Sequence, residues 1–487
     1  MNPHKSPLYS AFAVLVAFSL INTLAQSSSA GDLYIGGAAA NITPDTPVAL
    51  CGQMRTRIAK TIKTELTANA LALETRDGET SEDQAILVSC DLVYIHIDLP
   101  SMVREKLKSQ IPDFDSSKLI LSGTHTHTAP VMYEGIYRVT EAGIVTPTAY
   151  LNLLAERISE AAVQAWKNRK KGSVGWGLGH AVVAYNRRSV YADGHAQMYG
   201  NMQRADFREA EGPEDHGVEV LFFWDQNGKL TATAVNVACP SQEVEGDSEV
   251  NADFWHQVRE SLRTKYGKDL LVLSWTGAAG DQSPHLRYRR RAEERMRKLR
   301  GIGRLDEISR RIVFGWEEAY AGAKQEQHSN VPLIHQVKKI ELPVRIITDA
   351  EVAESRKKVA EMAKKPEMFR MQRWYQDAVD RYGRQQAGTE KPYEMELHAL
   401  RLGDIAITTN DFELYTQFGI QMKARSKALQ TFVIQLAGPG TYVPTPIAAQ
   451  GKGYSAVVES NEVGAKGGQV LVERTVELVN SFWPEGK

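Results

Sequence analysis

Two histidines, two residues apart, are the strongest chemical signal in the sequence. His125 and His127 lie in the segment SGTHTHTAP (122–130), which directly follows the apolar run KLILS (118–122). In an extended backbone, side chains two residues apart point to the same side. Two imidazoles on one side can both bind a metal ion, or one can bind it while the other transfers protons. A hydrogen-bonded structural pair is the alternative, but the small and hydroxyl-bearing neighbours leave space for a ligand and favour function.

Four further segments place a reactive side chain just after a strand-like run. Each segment alone is typical of a turn, an ordinary loop or a buried thiol. Together they predict that several strand ends converge on one active-site rim. A His, a thiolate, a carboxylate and a phenolate at such a rim would suit Zn²⁺, with one position left for water. The segments are VACPSQ (237–242) with Cys239, TGAAGDQSP (276–284) with Ser283, NDFELY (410–415) and GTYVPTP (440–446).

The surrounding pattern predicts one large layered α/β domain. Apolar runs at 85–93 and 118–122 flank a helical pattern at 99–110, and this order of strand, helix and strand is typical of α/β layering. A second amphipathic helix is predicted over 150–166. Further strands are predicted at 66–75, 218–224, 230–238, 270–275, 337–342, 397–402, 405–409 and 432–436. Two charge-rich segments, 287–324 and 352–386, are predicted to be exposed helical insertions, and RYRRR (287–291) to be a solvated helix start.

Composition excludes several classes of protein. The chain has 487 residues, 43% hydrophobic and 24% charged, which is ordinary for a globular protein and unlike a disordered or collagen-like chain. Lys and Arg total 58 against 59 Asp and Glu, so no net charge attracts the protein to nucleic acid. Three cysteines exclude a disulfide-built scaffold.

The N-terminal segment predicts export. Residues 11–25 are mostly apolar, and Ser28-Ser29-Ala30 offers a signal-peptidase site, so we expect a signal peptide over 1–30 and a mature domain over 31–487. The apolar run is shorter than the ~20 residues of a spanning anchor, which is the alternative. The protein is then secreted or periplasmic. An odd number of cysteines leaves at least one free, metal-bound or intermolecular, and a Cys51–Cys90 bridge stays open.

From about residue 36 to 454 the chain resembles the neutral, non-lysosomal ceramidase family. The resemblance rests on GGAAANITP (36–44), the GTHTH box, the GDxSP box and the later Glu and Tyr positions, in this order. It implies a zinc amidase of sphingolipid metabolism that hydrolyses the N-acyl bond of ceramide to sphingosine and a fatty acid. The partner implied is a small-molecule or lipid substrate, with membrane contact through that substrate only. The family's C-terminal immunoglobulin-like domain is expected to be missing, and the two charged segments depart from the family pattern.

The resemblance also implies a set of site residues. The zinc ligands are His125, Glu413 and Tyr442, with Cys239 where the family has its second ligand histidine; Asp411 is the alternative to Glu413. The catalytic residues are Ser283, His127, Arg187 and Tyr454. In this reading Ser283 orients the water or attacks directly, His127 transfers protons, and Arg187 and Tyr454 stabilise the oxyanion.

Two other functions are compatible with the same residues. Cys239 could be the nucleophile of a metal-free hydrolase, with His125 or His127 as its base. The protein could instead be a non-catalytic exported binding protein for a lipid or a glycan. Acyl or glycosyl bonds other than an amide, and the oligomeric state, are left open by the sequence.

Overall fold

The computed structural model describes residues 30–483. All but the last residue of the predicted signal peptide lies outside the described residues. Within them, no helix combines the length and the apolar composition that a membrane span needs.

The strands are short to medium in length. In chain order they are β1 Gly31–Asn41, β2 Val48–Ala49, β3 Ile58–Ala59, β4 Thr67–Asp77, β5 Thr80–Cys90, β6 Leu119–Gly123, β7 Lys170–His180, β8 Tyr185–Asn186, β9 Arg188–Tyr191, β10 Ala196–Met198, β11 Phe207–Ala210, β12 Gly217–Asp225, β13 Leu230–Val237, β14 Leu271–Thr276, β15 Gln282–Ser283, β16 Asn330–Val331, β17 Leu333–Leu342, β18 Tyr393–Leu402, β19 Ile405–Thr409, β20 Glu413–Leu414, β21 Gln430–Ile434 and β22 Tyr442–Val443.

The α-helices lie between these strands and after them. They are α1 Leu99–Gln110, α2 Pro147–Lys167, α3 Phe254–Tyr266, α4 Arg290–Arg300, α5 Arg304–Ala323, α6 Asp349–Met362, α7 Phe369–Gln386, α8 Thr416–Arg425, α9 Pro446–Gly451 and α10 Ala465–Asn480. Hydroxyl caps mark several starts: Thr146 accepts a hydrogen bond from the N–H of Ala149 at α2, and Thr348 forms a capping box with Glu351 at α6.

Two sheets form the centre of the molecule. The larger has the order β14-β13-β12-β7-β1-β4-β5-β6, with β16 added beside β1. Most neighbours are antiparallel, but β5 and β6 are parallel, and so are β13 and β14. The second sheet has the order β17-β18-β19-β21, with β19 and β21 parallel. The predicted unit of strand, helix and strand is therefore confirmed as β5-α1-β6, because a parallel pair needs a crossover connection.

The layers are held by separate apolar cores. Side chains such as Leu71, Leu273 and Ile407 fill the space between the two sheets. The outer face of the larger sheet packs against α1 and α2 at one end and against α3 and α5 at the other. Helices α8 and α10 contribute to the core on the other side of the second sheet. This arrangement of helices around two stacked sheets confirms the predicted α/β class.

The charged segments are helical, as predicted, but they are not uniformly exposed. Helix α4 has no buried residue, whereas α5 buries Ile308, Ile312 and Trp316 against β7 and β12. The prediction of an exposed α5 was wrong because its apolar residues recur every three to four positions among the charges, and they form one buried stripe. Helices α6 and α7 pack against each other, and α7 borders the main cavity.

Candidate active site

The loops that follow five strands meet at one end of the two sheets. These are the loops after β6, β13, β14, β19 and β21, the five positions where the sequence places reactive groups. The convergence predicted from the sequence is therefore present. Main-chain hydrogen bonds of 2.8–3.2 Å join these loops directly. The N–H groups of Gly123, Ser241, Gly280 and Gln435 donate to the carbonyl oxygens of Leu436, Thr124, Leu414 and Thr276, respectively.

His125 is held by its backbone and by its ring. Its φ of 69° lies in the left-handed region, which is uncommon for a residue with a side chain and is concentrated at functional sites. The N–H of His125 donates to the carbonyl of Leu92 at 2.9 Å. Nδ1 lies 2.7 Å from the carbonyl oxygen of Val93. Because a carbonyl only accepts, Nδ1 carries a proton, which leaves Nε2 as the ring nitrogen directed at the site.

Nε2 of His125 faces two further acceptor atoms. Nε2 of His125 lies 3.2 Å from Nε2 of His127 and 3.1 Å from Oε2 of Glu413. Burial keeps His127 neutral, since it lowers the pKa of the ring well below its usual range. A neutral imidazole nitrogen facing a carboxylate is unfavourable unless a positive charge lies between them. The arrangement therefore has the donor chemistry of a cation site.

Arg187 is the fixed cation beside this cluster. It is buried, and Nη2 lies 3.2 Å from the hydroxyl of Tyr442 and 3.7 Å from Oε2 of Glu413. The same nitrogen donates to the carbonyl of Gly280 at 2.9 Å. Burial alone would lower the pKa of Arg187, but Tyr442, Tyr199 and Glu413 raise it well above its usual range. The guanidinium thus stays charged and can support negative charge that develops on a substrate.

Tyr442 reaches the cluster through strand pairing. The parallel pair β20–β22 sets Glu413 opposite Tyr442, and their side chains are hydrogen-bonded. Burial raises the pKa of Tyr442 well above its usual range, so without a metal the phenol is protonated. The ring of Tyr454 lies 5.8 Å from that of Tyr442 and is partly exposed. Asp411, the alternative to Glu413, instead accepts from the hydroxyl of Tyr393 at 3.1 Å.

Ser283 is linked to Arg187 through Tyr199 rather than to His127. Its strand β15 pairs with β8, the strand that directly precedes Arg187. Ser283 Oγ accepts from the hydroxyl of Tyr199 at 3.1 Å and from the N–H of His285 at 3.2 Å. Tyr199 in turn lies 3.2 Å from Nη1 of Arg187. Among the contacts of the described residues, Ser283 makes none with His127, so the geometry does not provide a serine–histidine dyad.

Cys239 does not join the site, and this corrects the sequence prediction. Its side chain is fully buried in the core between the larger sheet and α3 and α5. The sulfur lies 3.7 Å from the carbonyl oxygen of Val183. Burial raises the pKa of the thiol well above its usual range, which disfavours the thiolate that a ligand or a nucleophile requires. All three cysteines are free and buried, so the Cys51–Cys90 bridge left open by the sequence is not formed.

We expect Cys239→Ala to keep turnover and bound metal within about twofold of the wild type. Because the thiol only packs a core, the change should instead lower the free energy of unfolding by about 1 kcal/mol. Urea unfolding, turnover and metal content measured on one preparation would test this. Loss of metal from a folded Cys239→Ala protein would restore Cys239 as a ligand.

The ring of His127 packs directly against Gly52, so that no larger side chain fits at this position. The glycine has a φ of +94°, and a β-carbon there would lie 2.4 Å from Cγ of His127. Gly52→Ala is therefore expected to displace the His127 ring and to strain the backbone. We expect turnover to fall at least about tenfold and the protein to lose about 1 kcal/mol or more of stability. Gly78→Ala is a matched control for the backbone effect, because Gly78 also has a positive φ but has no atom within 4 Å of its added β-carbon. Equal turnover in the two variants would contradict this view of Gly52.

The cluster opens into a cavity of about 980 Å³. One wall comes from the site loops, and another comes from α7, which contributes Arg370, Trp374 and Arg381. The Trp374 ring lies 5.6 Å from the ring of Tyr454, so the two aromatic residues form a pair among the residues that line this cavity. The charge-rich segment 352–386 thus contributes one of its walls through α7.

The side chains at the cluster can hold the zinc that the resemblance implies. Among residues 30–483, no three His, Cys, Asp or Glu side chains form a metal-binding group by themselves. A catalytic zinc, however, takes three protein ligands and one water. His125 and Glu413, with atoms 3.1 Å apart, can bind one ion at the usual bond lengths of about 2.0–2.2 Å. With Tyr442 as the third donor, the residues present fit the ion without Cys239.

Sequence reasoning missed four residues that complete the site: Gly52, Tyr199, Gln242 and Glu245. Gln242 lies in the VACPSQ segment, three residues after Cys239. Glu245 follows it by three residues. The signal that could have found both is their polar character in the segment that follows the end of β13. Tyr199 and Gly52 lie in loops without a motif, and only the folded chain brings them in.

The fold is shared with solved neutral ceramidases. A crystal structure of neutral ceramidase from Pseudomonas aeruginosa matches with a TM-score of 0.67 at 17% sequence identity, over 93% of this chain and 74% of that chain. A ceramidase complexed with C2 matches with a TM-score of 0.65 at 14% identity, over 93% of this chain and 75% of that one. No protein-family model and no curated protein matches the sequence. The expectation of a ceramidase-like fold is therefore confirmed.

Proposed function

We propose that this protein is an exported, zinc-dependent hydrolase of N-acyl amide bonds with ceramidase-like chemistry. One observation carries the proposal. Nε2 of His125 lies 3.2 Å from Nε2 of His127 and 3.1 Å from Oε2 of Glu413, beside a buried arginine and at the wall of a large cavity. The shared fold of the ceramidases supports it, as does the signal-like segment 1–30. A packing role alone would not require acceptors to face one another.

The metal would be held by His125, Glu413 and Tyr442. Bound there, zinc would polarise the scissile carbonyl and lower the pKa of a coordinated water to about 7. The negative charges on the oxygens of Glu413 and Tyr442 would be balanced by the ion and by Arg187, which lowers the cost of burying them. The fully buried Cys239 has no part in this proposal.

The other residues act on the substrate. His127 is neutral and directs Nε2 toward the site, so it can accept a proton from the attacking water and pass it to the leaving amine. Arg187 and Tyr454 can donate hydrogen bonds to the oxyanion, each worth about 3 kcal/mol in favourable cases. Ser283, held by Tyr199, is a further polar contact rather than an activated nucleophile.

The substrate class proposed is an N-acylated amine, with lipid amides such as ceramide first to be tried. The cavity is large enough for the parts of the acyl and amine groups that lie near the scissile bond, since ligand sites are commonly about 300–1,000 Å³. Membrane contact would occur through the substrate alone.

The test combines metal content with a substrate panel. The protein with residues 1–30 removed would be purified, analysed for zinc, and assayed on N-acyl sphingosines and simpler N-acyl amines with and without a chelator. About one zinc per chain and chelator-sensitive release of a free amine are expected. A folded, metal-free protein that binds these amides without cleaving them would overturn the proposal in favour of a binding protein. Turnover abolished by thiol alkylation but not by chelation would instead favour a cysteine enzyme.

A further inference from the structure

A chain of hydrogen bonds fixes which nitrogen of His127 carries the proton. Nη1 of Arg187 lies 2.9 Å from Oε1 of Gln242. Because a guanidinium has no acceptor, that atom of Gln242 must be the amide oxygen, and the amide nitrogen is the other end. This nitrogen lies 2.8 Å from Nε2 of His127 and can only donate. Nε2 must therefore carry the lone pair, and the neutral ring carries its proton on Nδ1.

The carboxylate of Glu245 lies beside the nitrogen that carries this proton. Its Oε2 is 3.4 Å from Nδ1 of His127, and this nitrogen has no hydrogen-bond partner among the described residues although His127 is only 7% exposed. The amide of Gln53 donates to the same carboxylate oxygen at 3.2 Å. The other oxygen lies 3.7 Å from Nδ1 of His285. The carboxylate is thus held from two further sides, and such contacts commonly shorten when substrate binds.

We propose that Glu245 is the positioning residue of His127, holding its Nδ1–H tautomer so that the ring's only lone pair stays on Nε2, the atom that accepts from Gln242 and borders Nε2 of His125. Gln242 enforces the same tautomer from the opposite side of the ring. The alternative tautomer would set an Nε2–H against the Gln242 amide hydrogens and a bare Nδ1 against a carboxylate. The catalytic consequence of this role of Glu245 rests on the proposed hydrolysis, whereas the tautomer of His127 does not depend on it.

The direct test is the ¹⁵N–¹H correlation spectrum of ¹⁵N-histidine-labelled protein. The chain has 12 histidines, and His127 would be assigned by its absence in His127→Asn. The wild type is expected to show His127 as the Nδ1–H tautomer, and Glu245→Leu a mixture containing Nε2–H. Wild-type His127 in the Nε2–H form, or an unchanged tautomer in Glu245→Leu, would overturn the proposal.

The kinetic test separates positioning from simple destabilisation. On a substrate that the wild type cleaves, Glu245→Leu should lose about 10- to 100-fold in kcat with KM nearly unchanged. Glu249→Leu is the matched control: it lies on the same segment, and its carboxylate accepts from the Thr61 hydroxyl at 3.0 Å, away from His127. A shifted tautomer with undiminished kcat would remove the catalytic role of Glu245. If the wild type cleaves none of the amides, the proposed function fails, while the spectra still decide whether Glu245 positions His127.

Discussion

His125→Ala is expected to abolish zinc binding and amide hydrolysis together. The imidazole supplies the one nitrogen of the proposed ligand set, and its Nδ1–H is already committed to the Val93 carbonyl at 2.7 Å. An alanine leaves Glu413 and Tyr442 without a third protein ligand, and Nε2 of His127, 3.2 Å from the lost nitrogen, already accepts from Gln242. We expect zinc to fall from about one per chain to near zero and turnover to fall at least about 10³-fold.

Elemental analysis and turnover on the same preparation would measure both effects. His180→Ala is the control, since His180 is a 64% exposed histidine at the end of β7 and lies outside the site loops. Circular dichroism would show that His125→Ala is folded. Zinc retained at the wild-type ratio would remove His125 from the ligand set, and wild-type turnover without zinc would remove the metal mechanism.

The features that the sequence predicted well are those carried by local patterns. An apolar run followed by a polar turn marks a strand end, and parallel pairs such as β5–β6 and β13–β14 carry those ends to the same edge of a sheet. His125, His127 and Glu413 could be predicted in this way, because each lies within a few residues of such an end. The α/β class follows from the same pattern.

The prediction for Cys239 failed for a reason that a linear pattern cannot show. In extended backbone, side chains an odd number of residues apart point to opposite sides, and Cys239 and Gln242 lie three residues apart, on either side of Pro240. Cys239 faces the helices, while Gln242 faces His127. The face that each residue takes depends on where the strand stops, which is set by pairing with β12 and with the more distant β14. Contacts such as Arg187 with Tyr442, 255 residues apart, are likewise fixed only by tertiary packing.

Arg187→Met is expected to have the largest combined effect on stability and turnover of any single change at this site. The guanidinium is 2% exposed and contacts Gly280, Tyr199, Gln242, Tyr442 and Glu413. Methionine fills a similar volume but leaves the carboxylate of Glu413 and the amide oxygen of Gln242 without this partner. Removing one member of a buried charge pair typically costs about 3–5 kcal/mol, and losing an oxyanion donor costs about 10²- to 10³-fold in kcat.

The comparison with Arg187→Lys divides this effect into charge and geometry. Lysine keeps the positive charge near Glu413, but one ammonium cannot satisfy acceptors on two sides as the planar fork does. We therefore expect Arg187→Lys to recover part of the lost stability and little of the lost turnover, because Gln242 would no longer be oriented toward His127. Urea unfolding and turnover of both variants would be set against Arg208→Met, in which an exposed arginine that donates only to main-chain carbonyls is replaced. If Arg187→Lys restored wild-type turnover, the charge alone would suffice, and the orienting path from Arg187 through Gln242 to His127 would be excluded.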